Sequence, residues 1–181
     1  MKKNTIILLV VILLSIFLGC AARHANLDRN EKIYKAQKNI IVFPFRNAYY
    51  KGRELVGVGT ALSSTFVNEV IATGRECRLV ETEEFKETKV VDINQACKHT
   101  KQQGADVAII GIVTEWIDGA TQWSGKVDVV GVSISAYDPE TCSLITSATG
   151  REQGQWFTFV NAPATRFYKT LSQDLIAAMF E

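Results

Sequence analysis

The stretch ADVAIIGIVTEW, residues 105–116, decides the fold. It is the most apolar run after the N-terminal segment, so it reads as a central strand. The stretch GATQWSG (119–125) then makes a turn. Next, KVDVVGVSISAY (126–137) alternates. Val130, Val132, Ile134 and Ala136 face one side and Ser133 and Ser135 the other, the pattern of a half-buried antiparallel strand. Asp138-Pro139-Glu140-Thr141 is a turn with Pro at its second position, and residues 142–151 form the returning strand. The three strands make a meander.

Upstream, strands alternate with helices. NIIVFPFR (39–46) is a short apolar strand, and Pro44, which lacks an N–H, requires an edge or an end nearby. The loop NAYYKGRELVG (47–57) carries Tyr49, Tyr50 and Gly52. In 59–73, Leu62, Phe66 and Val70 recur at helical spacing with Val67 and Ile71 beside them, and Gly74 stands just past the end. CRLVE (77–81) is a short strand. The stretch 92–103 is a second helix with Ile93, Ala96, Cys97 and Thr100 on one face, closed by Gly104. In 164–180, Phe167, Leu171, Leu175 and Ala178 or Met179 share a helical face, with Asn161 and Pro163 as start signals. The order β-α-β-α-β-β-β-α places the chain in the α/β class, as an α+β sandwich. One mixed sheet of about five strands is expected, with helices packed on it. Residues 39–181 form a single domain.

The first 19 residues form a unit of another kind. Lys2 and Lys3 precede 14 residues, Ile6 to Gly19, that are apolar except Ser15. A membrane-spanning helix needs about 20 apolar residues, and a charged start, a short apolar stretch and small residues describe a secretory signal peptide. Phe17-Leu18-Gly19-Cys20 is similar to the lipobox of bacterial lipoproteins, with Phe17 where Leu is usual. The resemblance implies that the Cys20 thiol takes a diacylglyceryl group and becomes the first mature residue. The alternative is an uncleaved signal anchor. Ala21, rather than Asp, after the cysteine implies sorting to the outer membrane, with the domain facing the periplasm. Residues 20–38 read as a lipidated, polar tether, helical around 30–38.

The 181 residues carry 20 Lys+Arg against 19 Asp+Glu, and loss of residues 1–19 would leave 18 against 19. A nearly neutral domain has no general attraction for nucleic acid or anionic lipid. The membrane contact is therefore expected through the lipid on Cys20, and nucleic acid is not an expected partner.

The stretches NIIVFPF, ATGRECRLVE, QQGADVAIIGIVTEW and VSISAYDPETCSLITSATG run in the order found in a group of envelope domains. The chain resembles that group over residues 39–180. The group includes the curli-secretion lipoprotein, the amino-terminal domain of TolB and the lipoprotein activators of penicillin-binding proteins. The resemblance implies a domain that docks other proteins at the outer membrane. The curli channel's insertions, which build a barrel, have no counterpart here.

Motifs for chemistry are sparse. Gly57-Val58-Gly59 opens a helix, but a dinucleotide fingerprint needs a third glycine where Leu62 stands. Glycines that free the loop explain it better. His24 falls in the tether and His99 on a helix expected to face solvent. Glu81, Glu83 and Glu84 read as a solvated run. No catalytic residue, metal site or cofactor is assigned. Cys77, Cys97 and Cys142 remain beside Cys20. In an oxidising compartment Cys77–Cys97 is the candidate disulfide, and the alternative is three small buried hydrophobes. Tyr49, Tyr50 and Trp123, with Trp156, Phe157 and Phe159, fall in loops or strand ends. They read either as edge packing or, for Tyr49, Tyr50 and Trp123, as a partner-binding surface. The function expected is a non-enzymatic outer-membrane lipoprotein that binds an envelope protein. The alternative is a periplasmic small-ligand-binding protein or an enzyme.

Overall fold

The computed structural model describes residues 32–33, 36–86, 90–119, 127–154 and 163–180, and the backbone of 23–27. The strands are β1 (Arg23–Leu27), β2 (Asn39–Val42), β3 (Tyr49–Tyr50), β4 (Arg53–Glu54), β5 (Glu76–Leu79), β6 (Val107–Ile117), β7 (Val129–Tyr137) and β8 (Leu144–Gln153). The helices are α1 (Val58–Ala72), α2 (Ile93–Gln102) and α3 (Tyr168–Met179), the last preceded by a 3₁₀ turn, Ala164–Phe167. One six-stranded mixed sheet has the order β1-β8-β7-β6-β2-β5, and β3 pairs only with β4. β2 runs parallel to β5 and β6, whereas β6, β7, β8 and β1 form an antiparallel series.

The expected α/β order is observed, with β6 in the interior of the sheet. β2 stops at Val42, two residues before Pro44. Beyond it the chain stays beside β6, where Phe43 donates to Ile109 O (2.9 Å), Arg46 donates to Gly111 O (2.9 Å) and Val113 donates to Arg46 O (2.9 Å). Pro44 thus falls where the regular ladder has ended.

Alternation along β6 and β7 creates two different faces. The first carries Val107, Ile109, Val113, Val130, Val132, Ile134 and Ala136, which pack under α1 and α3 through Leu62, Phe66, Val70, Leu171, Leu175 and Met179. Gly150 lets the last helix approach, because a Cβ there would stand 2.6 Å from Leu171 Cδ1. The second face carries Ile41, Phe43 and Ala108, covered by Ala96 and Cys97 of α2 together with Phe85. A bulge between Val113 and Glu115 shifts the alternation, so Trp116 points to the helix-covered face. Its ring centroid lies 5.5 Å from that of Tyr168.

Local signals explain the ends. Asp92 caps α2 by accepting from Gln95 N at 2.9 Å. Gly74 and Gly104 have φ of 86° and 66° just beyond α1 and α2. Asp106, in the Gly-Ala-Asp stretch before β6, accepts from Lys38 N and Asn39 N at 3.0 Å each and so fixes the entry to β2.

Some details differ from the expectations, among them the β3–β4 hairpin inside the expected loop 47–57. The segment 20–38, expected as a tether, contributes β1, whose residues 23–27 pair with 152–148 of β8. It also buries Ile33, whose N–H donates to Met179 O at 2.8 Å. Backbone pairing and one apolar anchor suffice there, so the polar composition hid both. Ile71 and Ile93 are exposed at the edges of their helical stripes. His99 is not a solvent residue: its ring meets Phe43 and Phe85 edge-on, with centroids 5.9 and 5.3 Å away. Phe43 and Phe85 also pack edge-on at 4.8 Å.

This aromatic cluster fastens α2 to the sheet. Phe43→Ala is expected to cost about 4 kcal/mol. In hydrogen exchange on the full-length protein in detergent, α2 should lose protection first while α1 and α3 retain theirs.

Candidate functional site

Residues 45–59 join β2 to α1 and carry the candidate surface. Lys51 (φ 50°) and Gly52 (φ 77°) both lie in the left-handed region, which makes the β3–β4 connection a two-residue type I′ turn. The register pairs Tyr49 with Glu54 and Tyr50 with Arg53. The hairpin closes with Leu55 N donating to Ala48 O at 3.0 Å. Asn47 ties it to the body of the protein. Its Nδ2 donates to Glu54 Oε1 at 3.0 Å, and its Oδ1 accepts from Gly59 N at 2.8 Å.

The second bond settles the Gly57-Val58-Gly59 motif. A helix N-terminus offers unpaired N–H groups to anions, but here a buried side-chain amide takes the Gly59 N–H. Gly57 has φ of 88°, and a Cβ on Gly59 would stand 1.8 Å from Phe45 O. The first glycine serves the turn and the second serves close backbone contact.

The hairpin presents Tyr49 and Tyr50, 53% and 37% exposed. Each ring has a cation over it: Arg46 lies 5.7 Å from the Tyr49 centroid and Lys51 lies 5.4 Å from that of Tyr50. Such contacts contribute about 0.5–1 kcal/mol at exposed sites and limit ring motion. Val56, nearby in sequence, is exposed as well.

Arg46 also borders a shallow cleft of about 220 Å³ on the second sheet face, beyond the reach of α2. The cleft is lined by Val90, Val91, Ile110, Ile112, Ser133, Ser135 and Tyr137. The same face carries a polar network: Thr149 Oγ1 donates to Ser133 Oγ at 3.3 Å, and Arg151 Nε donates to Glu115 Oε2 at 2.8 Å. The serines that alternation placed opposite the core therefore line this cleft together with Ile110 and Ile112.

The other sequence candidates separate. Cys20, Trp123, Trp156, Phe157, Phe159 and Asn161 lie outside the described residues. Cys77 pairs in register with Ile40 and packs against the core under α1 and α3, whereas Cys97 belongs to the core under α2. The sheet stands between them, so the Cys77–Cys97 disulfide gives way to a different neighbourhood, in which the Cys97 thiol and the Cys142 N–H both reach Asp138 O. Burial pushes the Cys77 thiol up to about 12. Among the described residues, no three or more His, Cys, Asp or Glu side chains gather as a metal site, and no helix is long and apolar enough to cross a membrane. Glu81, Glu83 and Glu84 are exposed beside the buried Phe85, as a solvated run would be.

No protein-family model matches the chain, and no curated protein does. Solved structures share its fold. PelC from Paraburkholderia phytofirmans, solved as a dodecamer, matches with a TM-score of 0.65 and 16% identity over 87% of this chain and 98% of that one. The hypothetical protein CT253 from Chlamydia trachomatis matches with a TM-score of 0.50 and 11% identity over 81% and 94%. The lipoprotein GNA1162 from Neisseria meningitidis gives 0.49 and 14% over 76% and 94%. PelC and CT253 share the fold of this chain at low identity.

Asn47→Ala removes both fastenings of the hairpin and leaves the Gly59 N–H buried without its acceptor. The expected cost is about 2 kcal/mol by urea denaturation, with new proteolytic cleavage between 49 and 55. Gly59→Ala forces backbone away from backbone and should cost about 3 kcal/mol by the same measurement.

Proposed function

We propose that the protein is a lipid-anchored, non-enzymatic component of a bacterial outer-membrane assembly, which binds an envelope protein through the Tyr49–Tyr50 hairpin. The observation that carries this reading is a pair of exposed tyrosines on a hairpin held rigid by Asn47, Glu54 and a type I′ turn. Aromatics are enriched among the residues that dominate binding energy, and a surface already ordered before binding loses less entropy on docking. PelC, with the same fold, is a dodecamer. That supports assembly as the mode of action, with a second copy of this chain among the partners to test.

The anchor would be lipid on Cys20. β1 begins at Arg23, so only about 10 Å of extended chain would separate the lipidated residue from the sheet. The domain would then lie against the periplasmic surface of the membrane rather than extend from it on a tether. Lipid anchoring also raises the local concentration of the hairpin for any membrane-bound partner.

The second reading, a small-ligand-binding protein or an enzyme, has the cleft beside Arg46 in its favour. Its volume of about 220 Å³ lies below the roughly 300–1,000 Å³ usual for ligand pockets. Among the described lining residues its one cation, Arg46, already lies over the Tyr49 ring.

Two measurements test the proposal. Radioactive fatty acid should label the wild-type protein and not Cys20→Ala; label on the variant would sink the anchor. Pull-down from detergent-solubilised envelopes should capture a stoichiometric partner. The Tyr49→Ala/Tyr50→Ala double variant should lose about thirtyfold in affinity at an unchanged urea midpoint. Undiminished capture by that folded variant would exclude the hairpin as the binding surface.

A further inference from the structure

Residues 138–143 form the tight connection between β7 and β8. Asp138 Oδ1 accepts from Glu140 N at 2.7 Å and from Thr141 N at 3.3 Å. The turn closes with Asp138 N donating to Ser143 O at 3.0 Å and Cys142 N donating to Asp138 O at 2.8 Å. Helix α2 docks on this turn from the second face of the sheet. Lys101 pairs with Glu140 there.

The Cys97 thiol reaches the same carbonyl: its Sγ donates to Asp138 O at 4.0 Å. One oxygen therefore accepts from Cys142 N and Cys97 Sγ together, which brings the two cysteines side by side. The Cys142 thiol is close enough to help burial raise the pKa of Cys97. Cys97 is 1% exposed, whereas Cys142 is half-buried.

Cys142 also breaks a local rule. Its φ is 54°, in the left-handed region that Gly, Asn or Asp fills at least cost. A strained residue persists where the surroundings give it a task. Nothing in the turn's hydrogen bonding requires a thiol, since Cys142 contributes only its backbone N–H. Its N–H shares the Asp138 carbonyl with the Cys97 thiol.

We propose that Cys97 and Cys142 form a disulfide that covalently fastens α2 to the β7–β8 turn. The reaction rests on the envelope location proposed above, because it needs an oxidant, here a protein disulfide of the thiol-oxidising class. The Cys142 sulfur, more exposed than that of Cys97, attacks one sulfur of the oxidant. A mixed disulfide forms and one oxidant thiolate leaves. The Cys97 sulfur then displaces the second oxidant sulfur. One S–S bond forms in this protein and one breaks in the oxidant. Two electrons pass to the oxidant, and the two thiol protons end on its two sulfurs. Burial and the Cys142 thiol push the free Cys97 thiol up to about 12. Closure is therefore slow until the mixed disulfide holds the reacting sulfur in place.

The test uses the full-length protein, made with its own N-terminus, extracted from envelopes under denaturing alkylation and digested without reduction. The expected result is a linked pair of peptides containing Cys97 and Cys142, lighter by two hydrogens than the reduced pair, with Cys77 alkylated. Cys77→Ala should keep the link. A link from Cys77 to either of the others would overturn the proposal. If both thiols are alkylated in the envelope protein, the bond is absent in the cell and the proposal fails. The purified, reduced, folded protein then locates the failure. Treatment with oxidised glutathione that yields Cys97–Cys142 places the error in the compartment; no link places it in the geometry.

Discussion

The contact between Phe45 and Gly59 is the constraint on which the rest of the molecule depends. The Phe45 carbonyl lies so close to Gly59 that no Cβ fits between them. The Phe45 ring packs over Gly111 of β6, where a Cβ would stand 2.5 Å from the ring, and against Phe66 of α1 at 5.8 Å. One residue thus sets the distance between β2, β6 and α1. Its neighbours follow from it. Arg46 continues the hydrogen bonding along β6, and Asn47 turns the chain, caps α1 and fastens the hairpin. The exposed tyrosines owe their fixed position to this buried junction, through Asn47 two residues before Tyr49.

The asymmetry of the sheet has the same origin in simple alternation. On one face, apolar residues continue from β2 across to β8, and two helices cover them. On the other, Ile41, Phe43, Ala108 and neighbours pack under one short helix. Beyond α2, serines, threonines and an Arg151–Glu115 pair stand beside Ile110 and Ile112. Covering that part with a purely apolar helix would bury hydroxyls and charges at a desolvation cost. Among the described residues no helix covers it, in keeping with that mixed composition.

Strands β6–β8 and the buried stripes of α1 and α3 were legible because burial and period agree: each buried side chain adds to a pattern over ten or more residues. The Asp138–Thr141 turn was legible because its residues each have a conformational reason to be there. The features that escaped are those made by single residues or by backbone. A type I′ turn is announced by Asn-Gly or Asp-Gly, and Lys51-Gly52 presents only half of that signal. β1 pairs through main-chain groups, which carry no residue signature. His99 is polar by name and stacks by geometry. The cysteine neighbourhood required knowing which face of the sheet each residue occupies. Cys77 and Cys97 are twenty residues apart in sequence, yet separated by a layer of backbone.

β1 gives the segment that follows Cys20 a structural task of its own. β8 spans ten residues, and without β1 its outer edge would offer a row of unpaired N–H and C=O groups to other chains. The opposite edge, β5, is only four residues long and carries Glu76 and Arg78, which discourages pairing by length and charge. The vulnerable edge is the one next to Cys20. With lipid there, β1 would be held between the membrane and β8, so pulling on the anchor would load the hydrogen bonds of the β1–β8 pair directly. Residues 32–33 oppose that load, because Ile33 is buried and bonded to the end of α3. The edge strand and the buried isoleucine act together. One satisfies the sheet, and the other prevents tension at the N-terminus from opening it further.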